Sequence, residues 1–219
     1  MNYNLKREIP VLLVVILPFL YLGFIWSSLP ERVPIHWNSE GQINGWGSKS
    51  TLLLLPLLLP LLTYLLFSLT PLIDPKKKLD SMGNKFYQLK LSIVLLMSVV
   101  ALFILYSTKN QSFFNPNFVL MLIGLLFAVF GNYFPSLKPN YFIGIKTPWT
   151  LENETVWKKT HQLAGKLWFP GGLVIIILAF IIENPKLMHI IFLTITGIIA
   201  IFPIVYSYII FKKNSQKNI

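Results

Sequence analysis

The chain contains no cysteine, which excludes disulfides, thiolate metal sites and a cysteine nucleophile. Charge is scarce: 12% of the 219 residues are charged, against about 25% in an ordinary soluble domain. No H-E-x-x-H or G-x-S-x-G pattern occurs, so neither a zinc hydrolase helix nor a serine nucleophile elbow is written into the chain. A cleavage site is missing too. The start, MNYNLKRE before an apolar run, has the look of a signal peptide, but no small-residue site follows Trp26-Ser27-Ser28, so an uncleaved first span is expected.

What the chain has instead is apolar length. It is 54% hydrophobic, and its apolar residues gather into six runs of about 16 to 25, long enough to cross the hydrocarbon layer as helices. The spans expected are Ile9 to Ser28, Thr51 to Ile73, Leu89 to Tyr106, Phe118 to Phe134, Leu167 to Ile182 and Leu187 to Phe211. The fold class is therefore an all-α polytopic membrane protein. The fifth span is the shortest and carries Pro170-Gly171-Gly172 near its start. Gly124 and Gly131, seven apart on one face of the fourth, should allow close helix contact. Three units follow along the chain: residues 1–73, 74–134 and 135–219.

The formal net charge of +11 would suggest nucleic acid in a soluble protein. Here the basic residues flank apolar runs, so topology and anionic lipid account for them without direct nucleic-acid binding. Fifteen of the nineteen Lys and Arg residues fall in one alternating set of segments. The positive-inside rule then places both termini in the cytoplasm. The segment 29–50 is outside and 135–166 inside.

The outer segment, LPERVPIHWNSEGQINGWGSK, is rich in Pro, Gly and Trp. Val33, Ile35 and Trp37 alternate with polar neighbours, and Gln42 to Trp46 supplies a partner run across a Gly41-containing turn, which predicts a small β-hairpin. Trp37 and Trp46 also suit the headgroup belt. His36 could join a metal only with Glu31, Glu40, Glu183 or His189, too thin a set to predict a metal; no cofactor is expected.

The inner segment, NYFPSLKPNYFIGIKTPWTLENETVWKKTHQLAGKLW, carries helix-start signals. Thr147-Pro148 fits an N-cap with Pro at the first helical position, and Thr150 could cap one turn later. Val156, Trp157, Thr160, Ala164 and Leu167 form an apolar stripe, which predicts an interfacial amphipathic helix anchored by Trp157. Glu154, Lys158 and His161 fall on a neighbouring face. A Glu and a His invite an enzymatic reading, a membrane-embedded hydrolase, but two turns separate them by about 10 Å. Catalytic residues are not expected. A transporter is a further alternative, against which stands the scarcity of ionisable groups inside the spans.

LPERVPIHWNSEGQINGWGSK resembles the extracytoplasmic signature of a bacterial domain found at the N-terminus of SdpI proteins. PNYFIGIKTPWTLENETVWKKTHQLAGKLW resembles the SdpI signature itself, over about thirty contiguous positions between spans four and five. With the six spans, the resemblance covers essentially the whole chain. It implies a multi-pass protein of the bacterial cytoplasmic membrane that gives immunity to a secreted, membrane-active peptide toxin by binding it. It also implies signalling in which the membrane protein captures a cytoplasmic transcriptional repressor. The outer ligand-binding positions are then Pro34, His36, Trp37, Gly41, Gly45, Trp46 and Lys49. The inner positions, partner-binding or structural, are Asn140, Gly144, Lys146, Thr147, Pro148, Trp149, Thr150, Glu154, Trp157 and His161. Lys146 stands where an Arg is common, which keeps the charge but not the forked donor geometry.

Overall fold

A computed structural model describes residues 5–111 and 116–215, without the side chains of Leu5 and Ser215. Helix α1 (Leu5–Ile25) leads into a two-stranded antiparallel hairpin, β1 (Arg32–Trp37) and β2 (Ile43–Ser48). The helical run Lys49–Ile73 is α2, followed by α3 (Asn84–Asn110) and α4 (Pro116–Tyr133). A short α5 (Pro148–Glu152) precedes α6 (Glu154–Ile181) and α7 (Pro185–Ser215). Among the described residues, six helices are long and apolar enough to cross a membrane.

Two features depart from the expected spans. The fifth begins thirteen residues earlier than Leu167: the amphipathic helix and the span are one continuous helix, α6. Its first turns expose Glu154, Lys158, Lys159 and Gln162 on the side away from the bundle and bury Val156, Trp157, Thr160, His161 and Ala164 on the other. In α2, Pro56 and Pro60 withhold backbone donors, and the helix widens into a π-type turn over Leu57–Leu61 before resuming as α-helix at Leu62.

Helices α4 and α6 approach most closely. A Cβ on Gly131 would lie 2.2 Å from the Phe169 nitrogen, and one on Gly172 would lie 2.4 Å from the Gly124 carbonyl oxygen. Small residues on both helices let the backbones touch, the usual way apolar spans gain packing in lipid. Gly172 is thus part of a packing seam, while Gly171 beside it faces Ile199 of α7.

Helices α1 and α3 pack through Val11, Val15 and Val94, and the Ser98 hydroxyl donates to the Val14 carbonyl at 2.7 Å. At their far end Lys90 Nζ donates to both carboxylate oxygens of Glu8, at 2.7 and 2.8 Å, with both residues buried. The ammonium also lies 5.3 Å from the Tyr64 ring centroid and 5.8 Å from that of Tyr87. An ionic pair removed from water needs such close geometry to offset its desolvation.

Candidate functional site

The two signature segments lie at opposite ends of the bundle. At one end, Asn38 shapes the hairpin turn: its Oδ1 accepts from the Glu40 and Gln42 amides, each at 2.9 Å, and Gly41 takes φ +80. The strands pair Val33 with Gly47, Pro34 with Trp46, His36 with Gly45 and Trp37 with Ile43, with shifts of register on either side of His36. A Cβ on Gly45 would meet the His36 Cβ at 2.8 Å, so this glycine lets the strands close.

The hairpin is fastened to the helices. Val33 is buried among Leu22, Ile25, Leu52 and Leu105. The Thr108 hydroxyl of α3 donates to the Pro34 carbonyl at 3.3 Å, and Glu40 pairs with Lys186 at the start of α7 at 3.3 Å. Lys49 pairs with Glu31 at 2.6 Å and lies over the Trp26 ring. Between hairpin and helices is a cavity of about 340 Å³ lined by His36, Trp37, Asn38, Val119, Leu120 and His189. On the same hairpin Ile35 and Trp46 expose 43% and 46% of their surfaces, whereas Trp37 is half-buried. Among the described residues no three His, Asp or Glu side chains gather to hold a metal.

At the other end the signature is a hydrogen-bonded knot. Asn140 is buried, and its amide uses every bonding position: Nδ2 donates to the Lys138 and Ile143 carbonyls, and Oδ1 accepts from the Phe142 and Ile143 amides, all at 2.7 to 3.0 Å. Gly144 follows at φ +118, in the region open chiefly to glycine. Thr147 caps α5 in a reciprocal box with Thr150: the Thr150 amide donates to Thr147 Oγ1, and the Thr147 amide to Thr150 Oγ1. Thr150 Oγ1 also donates to the Ile145 carbonyl at 2.9 Å, and Pro148 occupies the first turn. Trp149 Nε1 reaches Ser207 of α7 at 2.5 Å. Asn153 caps α6, its side chain accepting from the Val156 amide, so one expected helix is two, joined at this residue.

Trp157 and His161 lie inside this knot. Each is 1% exposed. Trp157 Nε1 donates to the Leu137 carbonyl at 2.7 Å, and its ring stacks on His161 at a centroid separation of 4.1 Å. The Ile145 amide donates to His161 Nε2 at 2.9 Å, while Nδ1 lies 2.8 Å from the Trp157 carbonyl. Nε2 must accept, so Nδ1 carries the proton and the ring is neutral. A Cβ on Gly144 would fall 2.4 Å from that same Nε2. This corrects two expectations. Trp157 is a core residue and not an interfacial anchor, and His161, two turns further along the helix than Glu154, is buried against the bundle while Glu154 at the helix start stays exposed. His161 has no nitrogen left to move a proton.

Sequence reasoning missed several contributors. Buried Asp74 closes the turn between α2 and α3, accepting from the Lys76 and Leu79 amides. Ser207 and Thr108 hold the two signatures to distant helices, and Glu8 pairs with Lys90. Ser207, Thr108 and Glu8 have no local signal, since their partners lie far along the chain; Asp74, which bonds two residues on, is a local turn signal.

Against known proteins, residues 136–207 match the SdpI/YfhL protein family, and residues 13–59 match the Domain of unknown function (DUF1648). The chain is 27% identical to "Immunity protein SdpI" of Bacillus subtilis (strain 168) over 184 residues, which covers 80% of this chain and 83% of that protein. No solved structure matches. The resemblance read from the two loops is borne out by these matches.

Proposed function

Starting from that match to the SdpI family, we propose that this multi-pass bacterial membrane protein gives immunity to a secreted, membrane-active peptide by binding it at the hairpin end. Both termini are cytoplasmic in this reading, so the hairpin faces outward. The observation that carries it is the fastened hairpin: a cap held to α3 and α7, with a cavity between it and the helices and with Ile35 and Trp46 exposed on its strands. A rigid apolar surface flanked by His36 and Asn38 suits an amphipathic peptide, because little ordering is left to oppose binding. The mechanism is sequestration. A peptide held against the cap is withheld from the lipid.

Signalling to a cytoplasmic repressor is the second part of the proposal. The exposed face of Glu154, Lys158, Lys159 and Gln162 is the surface available to such a partner. Occupancy of the cap would alter signalling only if the peptide binds two arrangements of the bundle with different affinity.

The test is a killing assay in cells expressing the parent chain or Trp46→Ala, with membrane levels matched. Protection should fall in the variant. Full protection by both Trp46→Ala and Ile35→Ala would put recognition elsewhere. A cysteine placed at Asn44 should react with an impermeant thiol reagent in intact cells, and one at Lys159 should not; the reverse pattern would invert the orientation.

A further inference from the structure

Beneath the signature knot is a second cavity, of about 500 Å³, that the immunity reading does not use. Its walls come from four spans and the loop: Phe67 of α2, Phe130 of α4, Trp168 of α6, Ile204 of α7, and the chain from Phe142 to Thr147. The side chains there are almost wholly apolar, apart from Lys146 and Thr147. Helices α2 and α7 are the least buried of the six, and beside Phe67 and Ile204 they expose Leu66, Leu69, Ile201 and Val205. The cavity therefore lies between two lipid-facing helices.

One end is cationic. Lys146 Nζ donates to the Tyr141 and Phe142 carbonyls, each at 3.1 Å, which uses two of its three protons. Lys76 Nζ lies 5.1 Å from the Tyr141 ring centroid, so both lysines touch the same tyrosine, Lys146 at its carbonyl and Lys76 at its ring. Asp74, the nearest acid in sequence to Lys76, has its carboxylate turned to the Lys76 and Leu79 amides. An apolar slot with Lys146 in its lining and Lys76 on the adjoining Tyr141 matches one kind of molecule at a membrane surface, an acyl chain carrying an anionic head.

We propose that this cavity holds an acyl chain of an anionic phospholipid, whose phosphate is bound by Lys146 and Lys76. The lipid would fill the gap between the loop and the two peripheral helices, so the signature loop is packed on one side by a molecule of the bilayer. Nothing in the immunity reading requires this site, and its test is independent of any toxin.

The experiment is native mass spectrometry of the purified full-length protein with added palmitoyl-oleoyl phosphatidylglycerol or the phosphatidylcholine of identical chains. The parent should retain phosphatidylglycerol preferentially. Each lysine should account for about fivefold, the scale of one basic residue at an anionic lipid surface. Lys76→Gln with Lys146→Gln should bring the two lipids level, and Lys146→Arg should keep the preference, since a guanidinium binds phosphate through a fork. Ala200→Phe, which fills the slot, should lower retention of both lipids. Equal retention by the parent would overturn the proposal and leave a neutral apolar occupant or a hydrophobic peptide. A preference that survives the double lysine variant would also overturn it, as would undiminished retention by an Ala200→Phe protein with parental circular dichroism. If Ala200→Phe does not fold, the lysine variants decide alone.

Discussion

At the hairpin end, Trp46 and Ile35 stand in the open, His36 lies exposed on its strand, and the glycines serve to bring two strands together. At the other end, Trp157 and His161 are sealed, Asn140 has no bonding position spare, and Gly144 leaves room for one imidazole nitrogen. Both segments are rich in Trp, Gly, Pro and His, and on composition they look alike. They differ in where the polar atoms go. In the hairpin several bond one another at the exposed surface, His36 with Asn44 and Asn38 with Gln42; in the knot they hold the loop's own backbone. A family motif can therefore mark a surface at one end of a molecule and a scaffold at the other.

Trp157→Ala gives the contrast its hardest test. Truncating a buried Trp should cost about 3 to 5 kcal/mol, and the Leu137 carbonyl also loses its donor. The thermal midpoint in detergent should fall steeply, while Trp46→Ala should leave it within about 0.5 kcal/mol of parental stability, as for an exposed site. Equal midpoints would erase the difference between the two ends. Gly144→Ala comes next, since it meets both positive φ and His161 Nε2. Strain of about 1 to 3 kcal/mol is expected from the backbone alone, seen as faster proteolysis of the 135–153 loop. Gly45→Val should distort only the hairpin, losing protection with little change in helix content by circular dichroism. His161→Gln is gentler still. It removes or displaces the acceptor for the Ile145 amide, a loss of about 1 to 3 kcal/mol for a buried donor left unpaired. Peptide binding at the cap, measured by titration, should persist. Lys158→Glu should be the smallest, within about 0.5 kcal/mol of parental stability, and any effect should be confined to signalling.

The spans were legible because hydropathy is additive along a chain, and the hairpin because alternation and a glycine turn are local. The Thr147 cap was legible for the same reason. The start of α6 was not. Its outward face is lysine-rich enough to look like a separate surface helix, and only the bundle shows that the opposite face is core. His161 was paired with the wrong neighbour, because a seven-residue spacing to Glu154 drew attention from the four-residue spacing to Trp157. Asn140 gave no sign of its role, since its partners are backbone groups that meet only once the loop has closed. Gly172 was read as a weakness of a span because its partner, the Gly124 carbonyl, is on another helix.

The pair formed by Glu8 and Lys90 imposes an order of events on biogenesis. The two residues are 82 positions apart, so α1 leaves the ribosome and enters the bilayer before its partner has been synthesised. A carboxylate alone among acyl chains costs several kcal/mol, so until then Glu8 should stay at the aqueous boundary or take up a proton. Once α3 is in place its ammonium meets that carboxylate, and Ser98 of the same helix reaches the Val14 carbonyl. A nascent chain arrested after α2 would therefore hold α1 without the cation and the hydroxyl that fasten it in the folded chain.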